Sequence, residues 1–216
     1  MVPVICIVGR SNSGKTTLIE KLIPELTRRG YRVATVKHAQ EIHIDPKKDS
    51  SRHLAAGSGV AALVSGGQLV ATKSYGKDIT PADAARFLGN SYDIILCEGF
   101  KQADAPKILI NPSQGQPIGE LTRVIAEVTD KPSSNKTRQF GFDDVAGLAD
   151  LIENGFLKPI GDRVDLYVNG EEVPLTQFPR QIIAQTVLAM ISSLKGTDGI
   201  YDLEIKVQKN KNANEG

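Results

Sequence analysis

The stretch Gly9-Arg10-Ser11-Asn12-Ser13-Gly14-Lys15-Thr16 constrains this chain more than any other, because it matches the phosphate-loop pattern G-x-x-x-x-G-K-[ST] in full. An apolar run, Val4-Ile5-Cys6-Ile7-Val8, leads into it, and a helical segment, Thr17-Leu18-Ile19-Glu20-Lys21-Leu22, leaves it. That strand-loop-helix context separates it from an ordinary Gly-rich turn. Backbone N–H groups from Ser11 to Thr17 can wrap a β-phosphate, and the positive end of the following helix dipole adds to the attraction. The candidate nucleotide-binding residues are therefore Gly9, Ser11, Asn12, Ser13, Gly14, Lys15, Thr16 and Thr17. Lys15 would bridge the β- and γ-phosphates, and the Thr16 hydroxyl would sit on Mg²⁺. The pattern predicts binding of a nucleoside triphosphate or diphosphate.

The rest of the chain is organised around that unit. Buried-type strands are expected at 2–8, 31–36, 93–97, 107–110 and 123–128, and helices at 17–30, 51–56, 80–88 and 144–153, with Pro24 kinking or shortening the first. Gly66-Gly67 between 60–65 and 68–73 signals a hairpin, and 131–139 reads as a polar loop. Alternating strands and helices predict an α/β fold of the P-loop NTPase type, a mostly parallel sheet with helices on both faces. From about residue 157 the pattern changes. Val164, Leu166 and Val168 alternate, Asn169-Gly170 signals a type I′ turn, 173–175 returns, a helix carries Ile183, Val187, Met190 and Leu194, and 202–208 alternates again. The expected organisation is thus a nucleotide-binding domain over 1–156, a small ββαβ unit over 157–208, and a polar tail over 209–216.

Composition narrows the partners. A net charge of +1 gives no bulk attraction to nucleic acid or an anionic membrane, and the absence of Trp with only 5 Tyr and 6 Phe disfavours base-stacking platforms. No run approaches the ~18 apolar residues of a membrane span, and Met1 leads straight into a strand without room for a signal peptide. Cys6 and Cys97 lie in apolar strands as expected of buried thiols. These features point to a cytoplasmic protein without nucleic-acid or membrane partners.

A P-loop protein needs a carboxylate on the metal side, at the carboxyl end of a strand near the phosphate loop. Glu98 ends the 93–97 run at that edge, followed by Gly99, whereas Asp93 stands at the opposite end. Lys37-His38 ends the second strand on the same edge, and His38 is a candidate for orienting water or touching phosphate, or else a plain hydrogen-bonding residue. Asp45 and Asp49 flank a polar loop and either could reach Mg²⁺ through water, or simply be solvated. Lys15, His38 and Glu98 are the candidate catalytic residues; Thr16, Asp45, Asp49 and Glu98 are the candidate metal residues. The usual guanine motif N/T-K-x-D is absent, but Asp130 in Val128-Thr129-Asp130-Lys131 offers a carboxylate for guanine N1–H and N2–H, or for a turn. This pattern does not choose between guanine and adenine.

Taken in order, Gly9–Thr17, Val36-Lys37-His38, the segment Ile44-Asp45-Pro46-Lys47-Lys48-Asp49-Ser50, Ile95-Leu96-Cys97-Glu98-Gly99-Phe100-Lys101 and Pro106-Lys107-Ile108 resemble the molybdopterin-guanine dinucleotide biosynthesis protein B family over residues 2–155. The resemblance implies a dimeric GTP-binding protein with weak, Mg²⁺-dependent GTPase activity. It also implies a molybdenum cofactor guanylyltransferase as partner, and molybdopterin as the molecule to which GMP is attached. The unit from about 157 is an addition to the short members of that family and reads as a docking or dimer element. Without an evident glutamine or arginine finger, intrinsic turnover is expected to be slow. Two other readings are a non-catalytic adapter presenting nucleotide or pterin, and a small-molecule kinase, which the lack of an Arg-rich lid weakens.

Overall fold

The computed structural model describes residues 2–42, 45, 47–111, 119–131, 137–158, 164–173, 175–197, 199–200 and 203–207. Ile44 and Pro46 of the loop motif and the 209–216 tail lie outside the described residues. The chain divides into two compact units, Met1–Lys158 and Pro159–Gly216.

In the first unit, β1 (Val4–Gly9), β2 (Val33–Lys37), β5 (Ile94–Glu98), β6 (Lys107–Ile110), β7 (Val124–Val128) and β8 (Arg138–Phe140) form a six-stranded sheet in the order β2-β5-β1-β6-β7-β8. Every neighbouring pair is parallel, as expected for strands that read as continuous apolar runs. Alternate residues serve opposite faces. Ile5, Ile7, Leu96, Ile108 and Val128 pack with α1 (Lys15–Arg28) and α4 (Val145–Ile152), while Cys6, Val8, Ile95 and Cys97 face the side that holds α3 (Pro81–Leu88) through Ala85. Cys6 and Cys97 stand opposite one another in register, buried and free as expected. Connections from β1 run first to one flank of the sheet and then to the other. The loop leaving its carboxyl end therefore emerges where open α/β sheets bind ligands.

Local chemistry explains the helix boundaries. At the start of α3, Asp83 N–H donates to Thr80 Oγ1 and Thr80 N–H donates to Asp83 Oδ2, both at 3.1 Å, with Pro81 in the first turn. Pro24 neither shortens nor ends α1, which runs on to Arg28. Leu18, Ile19, Leu22 and Leu26 are all buried along it. Burying each such side chain returns about 1.5–3 kcal/mol, together more than the ~3 kcal/mol cost of an interior proline. Arg29, beyond α1, clamps the helix to its neighbour by pairing with Glu25, Asp150 and Glu153.

Two features differ from the sequence reading. Arg138–Phe140, expected within a polar loop, forms β8 by pairing with Ala126–Val128. Three residues carry too little pattern to announce a strand, and the exposed edge of β7 supplies the pairing. The predicted hairpin, β3 (Ala61–Ser65) with β4 (Gln68–Thr72), is a separate two-stranded sheet. Its turn takes positive φ at both Gly66 and Gly67, 55° and 77°. The remaining helix of this unit, α2 (Asp49–Ala55), precedes it, and a π-helical turn over Glu153–Leu157 follows α4.

In the second unit, β9 (Leu166–Val168) and β10 (Glu171–Val173) pair antiparallel around Asn169-Gly170, and α5 spans Gln177–Ser192. Strand β10 begins directly after the turn rather than at 173, and 203–207, expected as part of a strand, has no strand pairing among the described residues. An alternating segment gains no ladder bonds without a neighbouring strand to complete it.

Candidate functional site

The loop between β1 and α1 takes its shape from two glycines. A Cβ on Gly9 would stand 2.5 Å from Ser13 Oγ and 3.0 Å from the Ile110 carbonyl oxygen, so only glycine lets the loop close against β6. Gly14 has φ 95°, and Asn12 shares the left-handed region at 59°. Leu18 N–H donates to the Gly14 carbonyl at 2.9 Å, which starts the helix directly behind the loop. Ser11, Asn12, Thr16 and Thr17 are exposed at the mouth, while Ser13 is buried with a hydroxyl lacking any hydrogen-bond partner among the described residues. The Lys15 ammonium folds back to donate to the Arg10 carbonyl. Burial pushes its amine below the ordinary lysine range, Glu98 pulls it back up, and the charges of Lys101 and Lys37 push it down again.

Pairing of β1 with β5 brings Glu98 to the loop from 82 residues away in sequence. Thr16 Oγ1 donates to Glu98 Oε2 at 2.9 Å, and Lys37 Nζ lies 3.3 Å from Glu98 Oε1. A hydroxyl beside a carboxylate is a hard-oxygen donor pair of the kind Mg²⁺ takes, so these residues fit the ion that the sequence implies. His38 is held less by polar contacts than by packing. Its backbone N–H donates to the Glu98 carbonyl at 2.9 Å and its ring lies 4.8 Å from that of Phe100, tilted by 47°.

The other sequence candidates are placed differently. Asp45 Oδ1 accepts from Lys47 N–H at 2.9 Å and its carbonyl accepts from Ser51 Oγ at 2.7 Å, which fastens the turn before α2. Asp49, in the first turn of α2, pairs with Arg52 at 3.4 Å. Neither acid makes a hydrogen bond or ion pair with Thr16 or Glu98, and the described residues contain no cluster of three metal-ligating side chains. Asp130 is exposed just beyond the end of β7, next to a turn in which Lys131 N–H donates to Thr129 Oγ1 at 3.2 Å.

Sequence reasoning missed three neighbours. Lys37 and Lys101 add cations beside Lys15, and Phe142 borders the loop, its Cε1 3.7 Å from where a Gly14 Cβ would stand. The backbone carbonyl of Phe142 and the carboxylate of Asp143 both accept from Lys21 on α1, at 3.4 and 2.8 Å. Lys37 was legible as a cation at a strand end; nothing in the pattern set Phe142 apart. Together, three ammonium groups and one carboxylate, at the positive end of a helix, make an edge suited to a polyphosphate.

Comparison with known proteins agrees with this geometry. Residues 4–130 match the family model for molybdopterin guanine dinucleotide synthesis protein B, abbreviated MobB. The molybdopterin-guanine dinucleotide biosynthesis adapter protein of Haemophilus influenzae is 35% identical, over 71% of this chain and 89% of that one. Its counterpart in Escherichia coli is 34% identical, over 74% of this chain and 97% of that one. The crystal structure of Bacillus subtilis MobB is similar at a TM-score of 0.56 and 29% identity, covering 73% of this chain and 99% of that one. With the family model spanning more than half of its length, this chain belongs to the molybdopterin guanine dinucleotide synthesis protein B family.

Proposed function

We propose that this protein is an adapter in molybdopterin-guanine dinucleotide biosynthesis that binds GTP with Mg²⁺ and hydrolyses it slowly. The observation that carries the reading is the Thr16–Glu98 hydroxyl–carboxylate pair set beside a closed phosphate loop with Lys15 at its mouth. The matched relatives are named as adapters of that biosynthesis, which supports a guanylyltransferase as the partner and molybdopterin as the acceptor it serves. A bound Mg²⁺, held by Thr16 and Glu98, would neutralise charge on the β- and γ-oxygens. Asp45 and Asp49, in the turn before α2 and in its first turn, are the further candidates to reach that ion through water. Lys15 and the N–H groups of 11–17 hold the phosphates and stabilise charge as water attacks the γ-phosphorus and the bond to the β,γ-bridging oxygen breaks. His38, packed on Phe100 at the same edge, is the candidate for orienting that water. Asp130 is the candidate guanine reader, with Phe142 providing an apolar wall on that side.

Homodimerisation is part of the proposal. The β3–β4 hairpin exposes registered apolar pairs on both faces: Leu63 opposite Val70, 55% and 61% exposed, and Val64 opposite Leu69, 74% and 66% exposed. A two-stranded hairpin with such faces is marginal alone and suits burial against a second copy. Leu63→Lys combined with Val70→Glu is expected to convert the dimer to monomer in sedimentation velocity; an unchanged sedimentation coefficient would remove the hairpin from the interface. The second unit, whose α5 exposes Phe178, Ile182 and Met190, is proposed as a docking element. A cytoplasmic location is part of the proposal; among the described residues no helix is long and apolar enough to cross a membrane.

The decisive experiment is a competition titration of GTP against ATP, followed by single-turnover phosphate release. GTP is expected to bind more tightly, and release in the wild type should exceed that of Lys15→Ala. Tighter ATP binding would refute the guanine assignment. Equal phosphate release would leave a nucleotide-holding adapter without GTPase activity.

A further inference from the structure

Of the two cations at this edge that are not part of the phosphate-loop pattern, Lys37 is the one paired with Glu98. Lys37 closes β2, and the parallel register sets it directly beside Glu98 at the end of β5. Its Nζ lies 3.3 Å from Glu98 Oε1, while Glu98 Oε2 accepts from Thr16 at 2.9 Å. The Glu98 side chain is 14% exposed and that of Lys37 is 64% exposed. The carboxylate is therefore fixed in the edge, whereas the ammonium sits at the tip of a flexible stem in solvent. Exposed ion pairs of this kind are weakly held. A divalent cation prefers oxygen ligands and carries twice the charge, so it outcompetes an ammonium at this carboxylate without disturbing the sheet.

Sheet order says which way a released Lys37 would turn. Strands β5 and β2 lie on one flank of β1, and β7, with Thr129 and Asp130 beyond it, lies on the other. Thr16 and Glu98 would hold a divalent cation that neutralises charge on the outer phosphates, so the flank carrying Glu98 would be the terminal-phosphate end. A lysine leaving Glu98 meets the γ-phosphate there and gains a charge-assisted hydrogen bond that a diphosphate does not offer.

We infer that Lys37 is a parked γ-phosphate reader: it neutralises Glu98 in the nucleotide-free protein, yields that carboxylate to a divalent cation, and pairs with the terminal phosphate. The inference rests on the nucleotide-binding reading above and adds to it the group that distinguishes triphosphate from diphosphate.

The test uses the full-length chain, wild type against Lys37→Met and Lys37→Arg, with fluorescent GDP and a non-hydrolysable fluorescent GTP analogue titrated across Mg²⁺ concentration. Lys37→Met should lower the Mg²⁺ midpoint of the GDP complex by about fivefold, because the ion no longer competes with an ammonium. It should also cut the preference for triphosphate over diphosphate by about tenfold, the loss of one charge-assisted bond. Lys37→Arg should retain most of that preference. Either change missing in the Met variant overturns the inference. A wild type that binds neither nucleotide overturns it together with the proposed function, whereas a wild type that binds and a Met variant that titrates identically overturns the inference alone.

Discussion

Replacing Lys15 by methionine is expected to weaken GTP binding by about 100-fold or more while leaving the fold intact. The ammonium is the group placed to span two phosphates, and each charge-assisted hydrogen bond it would make contributes about 1.5–3 kcal/mol, so losing two removes at least ~3 kcal/mol. In the structure the same ammonium donates to the Arg10 carbonyl of its own loop, a contact it gives up to reach phosphate. Binding therefore exchanges one acceptor for stronger, charged ones, and the Met variant has neither. Its cost to folding is small, because the Lys15 side chain lies in the half-buried mouth of the loop and not in the core. A fluorescent-nucleotide titration with a parallel circular-dichroism melt separates the two quantities. If the variant binds within about threefold of wild type, Lys15 is not holding phosphate and the loop is only a turn.

The parts of the site that were legible in the sequence are those whose chemistry is local. Gly9 to Thr16 specify a loop by contiguous residues, and Glu98 was identifiable because a carboxylate ending an apolar strand falls at the binding edge of an open α/β sheet. The Lys37–Glu98 pair was not legible as a pair. The two residues come together only because β5 inserts between β1 and β2, an order that no local pattern encodes. Strand β8 was missed for the same reason: Arg138, Gln139 and Phe140 become a strand by docking on β7. Pro24 misled in the opposite direction, since a local penalty read from one residue was outweighed by four buried side chains along the same helix. Asp45 and Asp49 were legible as acids near the edge but not in their local roles, since their bonds to Lys47 N–H and to Arg52 follow from the conformation of the turn and helix.

Lys107→Met is the substitution expected to cost the most stability. A lysine in an apolar strand reads as an edge residue with its amine in water, yet Lys107 is 0% exposed, on β6 in register with Cys6. Its Nζ donates to the carbonyls of Ala103 at 2.5 Å, Thr122 at 3.0 Å and Ala105 at 3.2 Å. These carbonyl dipoles, with no carboxylate among the Nζ acceptors in the described residues, stabilise the buried charge. The lysine thereby joins the β5–β6 loop to the segment leading into β7. Methionine matches the length and spares the desolvation of an ion, which costs several kcal/mol, but it forfeits three hydrogen bonds from a charged donor, about 1.5–3 kcal/mol each, and leaves the carbonyl of the buried Ala105 without that donor. The lost bonds and the orphaned acceptor outweigh the relief, for a net loss of about 3 kcal/mol, read as a urea midpoint lowered by ~1 M or more. Because the loosened loop begins with Gly99, Phe100 and Lys101, nucleotide affinity should fall as well, though less than in Lys15→Met. A Met variant that unfolds at the wild-type urea concentration would mean that solvent or a shifted backbone satisfies those carbonyls, and that the lysine's burial is incidental to the fold.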